Sequence, residues 1–462
     1  AGYCIKRKDS YPSKEYYDYI RYDTIRNINT PRQIGIPVPF AYDNLCRVIR
    51  DNWEKIRQHF HKCTDQQEYV ISRNHVLFKE NEPLFKMNYD DWRNSGSPKD
   101  SIQIGMKYVV KADISTCFPS IYTHSLSWAL VGKTEAKEKK ENKNAWYNRI
   151  DKACRKVRNN ETHGIIIGPH SSNILSEIIL CAIDKELSTK YSYIRNIDDY
   201  TCFVESREKA GDFIRDLAHE LGNYDLLLNH NKTKVEALPF WEDAIWVRKI
   251  NSFNLINNHG MSDYRFVKAF LDLALDLMKS NGENAAILNY AIKVLSEKKL
   301  TENAKTYYYQ KIEQLCLFYP YLIHLLDEYV FVPFSVPYDS IKKFSDLAFK
   351  SGYNSRNYEE CCFSLYFAIK YSFEINVVEI VKIEEVDSCI FKLLYFLYLR
   401  KNNKEGLLNK CKEYAQKLKS NKNDFDRNWL YVYEVLDSKS FDNEWRELKK
   451  ANISFIKSTL LN

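Results

Sequence analysis

Gly164-Ile165-Ile166-Ile167-Gly168-Pro169-His170-Ser171-Ser172-Asn173 reads as a glycine-punctuated loop that opens onto an apolar helix, Ile174 to Ile183. Small residues followed by a helix start suit the close approach of a nucleotide and a base pair. Acids flank this stretch on both sides. Upstream, Asp113 ends a run of strand character in which Val109, Val110, Ala112 and Ile114 surround it. Downstream, Tyr193-Ile194-Arg195-Asn196-Ile197-Asp198-Asp199-Tyr200-Thr201-Cys202-Phe203-Val204 reads as strand, acidic tight turn, strand. An Asp pair in a turn is ordinary, because Asp closes turns with its own backbone. A carboxylate at a strand end near a carboxylate hairpin has a second use: such acids hold two Mg²⁺ ions roughly 3.5–4 Å apart for in-line phosphoryl chemistry. That use requires Asp113, Asp198 and Asp199 to converge.

The order of these segments carries a family resemblance. Lys111-Ala112-Asp113-Ile114-Ser115 with Phe118, then Gly164 to Asn173, then Ile197-Asp198-Asp199-Tyr200, resembles motifs A, B and C of reverse transcriptases. Leu228-Asn229-His230-Asn231-Lys232-Thr233-Lys234 looks like motif D. One such motif is weak; four in order are specific. Ile121-Tyr122-Thr123-His124-Ser125 with Trp128-Ala129-Leu130 and Gly132-Lys133 is similar to the abortive-infection (Abi) branch of bacterial reverse transcriptases. So is Gly35-Ile36-Pro37-Val38-Pro39-Phe40 leading into Tyr42, Leu45-Cys46 and Asn52-Trp53. The similarity covers about residues 34–250.

The resemblance implies an α+β fold, a reverse-transcriptase fingers–palm unit followed by an all-α, HEAT-like helical-repeat domain. It implies a DNA polymerase using Mg²⁺, with Mn²⁺ as an alternative, on dNTPs. Asp113, Asp198 and Asp199 would be the metal-binding and catalytic acids. Phe118 would be a steric gate against the ribose 2′-hydroxyl, working by a clash. Gly168, Pro169 and Ser172 would line the nucleotide side. Lys232 would be the cation near the triphosphate and a proton donor to pyrophosphate, and Arg73 a fingers cation for the triphosphate. The Abi branch further implies antiphage defence in the bacterial cytoplasm, untemplated synthesis primed on a protein hydroxyl, single-stranded DNA left covalently attached, and a homo-oligomer of three or more copies. The alternatives are a templated enzyme with a dedicated RNA and a palm-derived scaffold without activity. The chain departs from the family at Asn196, where Tyr is common, at Ile166, where Pro is common, and at Cys117-Phe118, where the Abi branch often has Phe-Tyr.

Composition supports this organisation. The chain has 462 residues, only 13 Gly and 12 Pro, and a net charge of +7. So few breakers favour helix, and the mild positive charge permits a nucleic-acid partner without demanding one. Ten of the 13 glycines and nine of the 12 prolines precede residue 261, which separates a mixed first part from a helical second part. The expected divisions are 1–105 (N-terminal and fingers region), 106–258 (palm) and 259–462 (helical array). Helical stripes start at Phe266 and follow near 283–298, 303–317, 321–331, 339–349, 357–373, 389–400, 405–418 and 428–437. In the first part, Asp43 to Phe60 reads as one amphipathic helix with Leu45, Ile49, Trp53, Ile56 and Phe60 on one face. Residues 133–160 carry ten Lys and Arg against four acids, a solvated face or a phosphate-tracking surface.

None of the twelve cysteines forms a CxxC pair, and their scatter suits a reducing compartment. His59, His61 and Cys63 have metal-ligand chemistry, but their spacing spreads them around a helix and favours structural histidines. No apolar run is long enough to span a bilayer, so no membrane partner is expected. A priming tyrosine would need to reach the aspartates, which favours mobile or surface segments: Tyr11, Tyr16, Tyr17, Tyr19 and Tyr22, or Tyr42, or a loop of the helical part.

Overall fold

The structure, a computed structural model, describes residues 15–27, 30–69, 71–72, 74–76, 85–87, 98–239, 244–255, 260–376 and 380–457. Arg73 and Tyr11 lie outside the described residues. The chain forms two compact units. One comprises Ala1–Tyr19 with Gly35–Phe240, the other Ile20–Ile34 with Trp241–Asn462. Strands β1 (Tyr19–Asn27) and β2 (Thr30–Pro37) pair as a two-stranded sheet, and β3 (Asn74–Val76) and β4 (Phe85–Met87) form another.

The first unit is built on a four-stranded antiparallel sheet. Its strands are β5 (Tyr108–Asp113), β6 (Ser192–Asn196), β7 (Asp199–Val204) and β8 (Lys234–Ala237), in the order β6-β7-β5-β8. The expected strand around Val109 to Asp113 and the expected hairpin at Asp198 are both present. In β5, Val109, Val110, Ala112 and Asp113 are all buried, so this central strand is covered rather than alternately wet. The Arg207–Asn223 helix presents Ala210, Phe213, Leu217 and Leu221 as one apolar stripe, and the Ser206 hydroxyl caps its start by accepting from the Lys209 amide.

The His170–Leu187 helix is the most buried of the unit, with Ile174, Leu175, Ile178, Ile179, Leu180 and Ile183 all inside. Pro169 precedes it with extended backbone, and Gly168 sits at φ 124°, a left-handed conformation that glycine alone adopts cheaply. The Ser172 hydroxyl donates to the Ile166 carbonyl at 2.6 Å and ties the loop to the first helical turn. Gly35 lets β2 approach this loop: its amide donates to the Ile167 carbonyl at 2.9 Å, and a Cβ there would overlap the Ile166 side chain.

The single helix expected over Asp43 to Phe60 is two helices, Pro39–Asp51 and Trp53–Thr64. The chain leaves helical geometry at Asn52, whose buried side chain donates to the Val48 carbonyl at 2.8 Å. Side-chain competition for the backbone is what favours Asn at such breaks. The break re-registers the second helix: Asn52, Ile56, His59 and Cys63 are buried, while Trp53 and Phe60 are only half-buried.

The second unit is helical beyond its share of the β1–β2 pair. Its helices include Tyr264–Ser280, Ala285–Ser296, Glu302–Phe318, Tyr338–Ser355, Tyr358–Tyr371, Cys389–Lys401, Glu405–Ser420 and Lys422–Val435. Asp263, Asn284, Ser388 and Asn421 accept backbone N–H groups at four of the starts, the residue types that favour caps. The stripe expected at 321–331 is not a regular helix. Pro320–Leu325 is a 3₁₀ turn and Asp327–Phe331 a π turn. Tyr321, Leu322, Ile323, Leu325 and Leu326 are buried, and only His324 and Glu328 of the segment are exposed.

Candidate active site

The four-stranded sheet sets the acids. β5 and β7 pair so that Asp113 lies directly opposite Asp199. Asp198 occupies the turn between β6 and β7, and its carbonyl accepts from the Ile114 amide at 3.2 Å. The sheet therefore brings the three expected carboxylates to one end of two neighbouring strands. Asp113 is buried, Asp198 half-buried and Asp199 exposed. Burial first, then the charges of Asp198 and Asp113, push the Asp199 carboxyl up to about 6, with Lys232 pulling the other way. The part of that rise due to Asp198 and Asp113 is like-charge repulsion, which a cation bound between them would relieve.

The 228–234 stretch folds back onto this end. The Asn229 amide donates to the Asp113 carbonyl at 2.7 Å, and the Lys232 ammonium is ion-paired with the Asp113 carboxylate. Asp113 holds that ammonium above its usual range, so Lys232 keeps its proton. A cavity of ≈ 460 Å³ opens here, lined among others by Asp113, Asp199, Asn231, Lys232 and Lys234.

The other expected residues are placed differently. Phe118 is half-buried on the short Cys117–Ser120 helix, and its carbonyl accepts from the Ile165 amide at 2.9 Å. That bond joins the segment after Asp113 to the Gly164–Pro169 loop. Pro169 and Ser172 line a small cleft with Tyr42, Leu45, Ile166 and Leu175, not the cavity beside the aspartates. Ser172 spends its hydroxyl on the Ile166 carbonyl, so it shapes the loop. Of the tyrosines expected on mobile or surface segments, Tyr17 and Tyr19 are buried, and burial, with Cys362 and Glu359 nearby, pushes the Tyr22 phenol far up. Tyr16 is half-buried and lines a cavity of ≈ 660 Å³ with Tyr122, Lys137, Lys140, Lys143 and Lys152.

One network escaped the sequence reading. Arg195 of β6 is completely buried between two acids of the His170–Leu187 helix. It donates to Glu177 at 2.8 and 3.2 Å and to Asp184 at 2.5 and 2.9 Å. Tyr193 donates to Asp184 at 2.8 Å. Burial lifts the Asp184 carboxyl and Arg195 opposes it; burial pulls Arg195 down, yet Asp184 and Glu177 hold it well above its usual value. The remaining guanidinium bond, 2.8 Å from Nη1, goes to the Ile197 carbonyl. Ile197 sits at φ 56°, an unfavourable left-handed conformation for a β-branched residue, immediately before Asp198. The buried ion triad thus fixes the strained turn that carries the acid pair. The signal was present: charges at 177, 184 and 195 interrupt otherwise apolar runs.

Among the described residues, the trio of metal-ligating side chains whose ligand atoms all lie within 4.8 Å of one another is His59, Cys63 and Cys181, away from the aspartates. The aspartates, mutually repelling and with Lys232 seated on one of them, are spread more widely. Their all-oxygen chemistry fits Mg²⁺ or Mn²⁺. No helix of the described residues is long and apolar enough to cross a membrane.

Residues 47–259 match the family model described as reverse transcriptase (RNA-dependent DNA polymerase). Among curated proteins nothing matches. Apo telomerase from Candida tropicalis, truncated from its C-terminal domain, is similar at 16% identity and TM-score 0.31, covering 51% of this chain and 53% of that one. The chain thus spans about half the length of that structure. Telomerase from Candida albicans with a fragment of telomeric RNA is similar at 14% identity and TM-score 0.30, covering 80% of this chain and 66% of that one. Apo telomerase from Candida tropicalis gives 12% identity, TM-score 0.33 and coverage of 85% and 67%. The family match takes in all four strands of the sheet that carries Asp113 and Asp199, so it is over residues 47–259, a little under half of the chain, that the protein resembles reverse transcriptases.

Proposed function

We propose that this protein is a Mg²⁺-dependent DNA polymerase of the Abi reverse-transcriptase class, making DNA without an external template, from a protein hydroxyl, in antiphage defence. The observation that carries the polymerase reading is the meeting of Asp113, Asp198 and Asp199 at one end of β5 and β7. Mg²⁺ held by these acids would supply the positive charge that activates an attacking hydroxyl and stabilises departing pyrophosphate. The chain's own groups do the rest. Arg195 holds the turn of Asp198 in place. Lys232, protonated and exposed, exchanges Asp113 for the triphosphate and gives its proton to pyrophosphate. Phe118 excludes a 2′-hydroxyl. Phosphoryl transfer asks mainly for position and metal, so a tyrosine hydroxyl can serve as the primer. Tyr16 is the described N-terminal tyrosine best suited, because it lines a lysine-rich cavity that can follow the product's phosphates.

A second reading has its own support: the matching family is described as RNA-dependent, which favours a templated enzyme with a dedicated RNA. Incubating pure protein with labelled dNTPs and Mg²⁺, with and without added RNA, separates the two. The proposal expects DNA without RNA and, after proteolysis, nucleotide mass on a tyrosine peptide. Free DNA made only with RNA, beside unmodified protein, favours the templated enzyme. The class also carries an expectation of a trimer or larger ring, and light scattering that returns a monomer mass at micromolar concentration overturns it.

A further inference from the structure

His59, Cys63 and Cys181 play no part in the polymerase site, yet they form a closed cluster. All three are buried. The break at Asn52 turns His59 and Cys63, four residues apart, onto the inward face of the Trp53–Thr64 helix. Residues four apart share a helix face, so the pair points the same way while His61 stays exposed. Cys181 arrives from the His170–Leu187 helix, on the opposite side of the same buried space.

We infer that these three side chains are a binding site for a soft d¹⁰ metal ion, Zn²⁺ or Cu⁺, that staples the two helices together. The His59 Nε2 lies 3.4 Å from the Cys181 Sγ and 3.9 Å from the Cys63 Sγ. Zinc bonds of roughly 2.3 Å to sulfur and 2.0–2.1 Å to nitrogen give tetrahedral N–S edges of about 3.5 Å, so shifts of a few tenths of an ångström complete the set. The Ile178 carbonyl is 2.8 Å from the same Nε2 and 3.5 Å from the Cys181 Sγ, which supplies a fourth donor for Zn²⁺. Cu⁺ is satisfied by the three soft ligands. Two sulfurs and an imidazole select thiophilic ions over Mg²⁺, which separates this site from the aspartates. Both cysteines are free thiols, so they are available as ligands. Binding replaces each thiol proton by the metal, the protons leaving to solvent, and the imidazole ligates in its neutral form with its proton on Nδ1. No oxidant is needed.

The test uses the full chain purified without chelator and under reducing conditions. Elemental analysis is expected to find about one Zn or Cu per chain. Stripped protein titrated with Zn²⁺ or Cu⁺ is expected to take up about one equivalent and to melt several degrees higher. Cys63→Ser and Cys181→Ser lose both effects, whereas Asp113→Asn keeps them. Because a serine variant can fail to fold, Co²⁺ is also added to the stripped wild-type protein. Thiolate-to-cobalt charge-transfer absorption is the expected result. No stoichiometric metal with no such absorption overturns the inference. So does a Cys63–Cys181 disulfide-linked peptide in the purified protein with no metal bound.

Discussion

Asp113 and Asp199 are directly opposed across the β5–β7 ladder, each on its own strand and on the same face of the sheet. Like charges in that relation destabilise a sheet, and burial of Asp113 makes the arrangement worse. Asp198 in the adjoining turn adds a third acid, and burial with the charges of Asp198 and Asp113 raises the Asp199 carboxyl to about 6, a cost that the proposed cation would offset.

Activity is expected to depend on Arg195 through the turn that carries Asp198. Arg195→Met leaves Glu177 and Asp184 buried without a counter-charge, a loss on the order of 3–5 kcal/mol. The milder Arg195→Lys keeps the charge but cannot serve both acids and the Ile197 carbonyl at once. We expect a folded Arg195→Lys protein with kcat lowered much more than KM for dNTP is changed, because the turn of Asp198 is loosened. Steady-state kinetics beside a melting curve decide it. An unchanged kcat in the folded variant would show that the triad serves stability only.

The proposal assigns sugar selection to Phe118. It lies five residues after Asp113, half-buried where the chain leaves β5. Phe118→Ala is expected to raise the rNTP to dNTP ratio of kcat/KM by at least about tenfold, the size of effect one lost steric contact carries. If the ratio stays put, Phe118 packs the core and another group excludes the 2′-hydroxyl.

The helical unit should weaken as pH rises. Burial pushes Glu359 and Glu360, each from an ordinary 4.5, up to about 7, although Ile25 and Asn357 donate to them. A carboxyl whose folded pKa is raised favours the fold while protonated. The contribution is present below 4.5 and is lost as pH rises through about 7. Calorimetry from pH 5 to pH 8 is expected to show a falling midpoint, and Glu359→Gln with Glu360→Gln to flatten that slope. Equal slopes in variant and wild type would contradict the assignment.

Much of the four-stranded sheet was legible because its signals are local. Val109 to Asp113 and Tyr193 to Val204 announce strands by their β-branched and aromatic content, and the acids mark the strand ends. What the sequence hid depends on partners far along the chain. Arg195 looks like a surface residue until Glu177 and Asp184 are placed beside it. Tyr17 and Tyr19 look exposed in a polar stretch and are buried by packing. The break at Asn52 is a single hydrogen bond to Val48, yet it decides that His59 and Cys63, rather than Trp53 and Phe60, face inward. Ser172 matched a motif, but its hydroxyl is committed to Ile166.

The most direct measurement is incorporation of labelled dNTPs by Asp113→Asn and Asp198→Asn proteins whose circular dichroism and melting match the wild type. Each substitution removes one negative charge from the cation site without changing shape. We predict loss of synthesis by on the order of 10²–10³ or more in both, as removal of a charge-stabilising group at a reacting centre brings. Near-wild-type synthesis by either folded variant would contradict the assignment of Asp113, Asp198 and Asp199 as the polymerase centre.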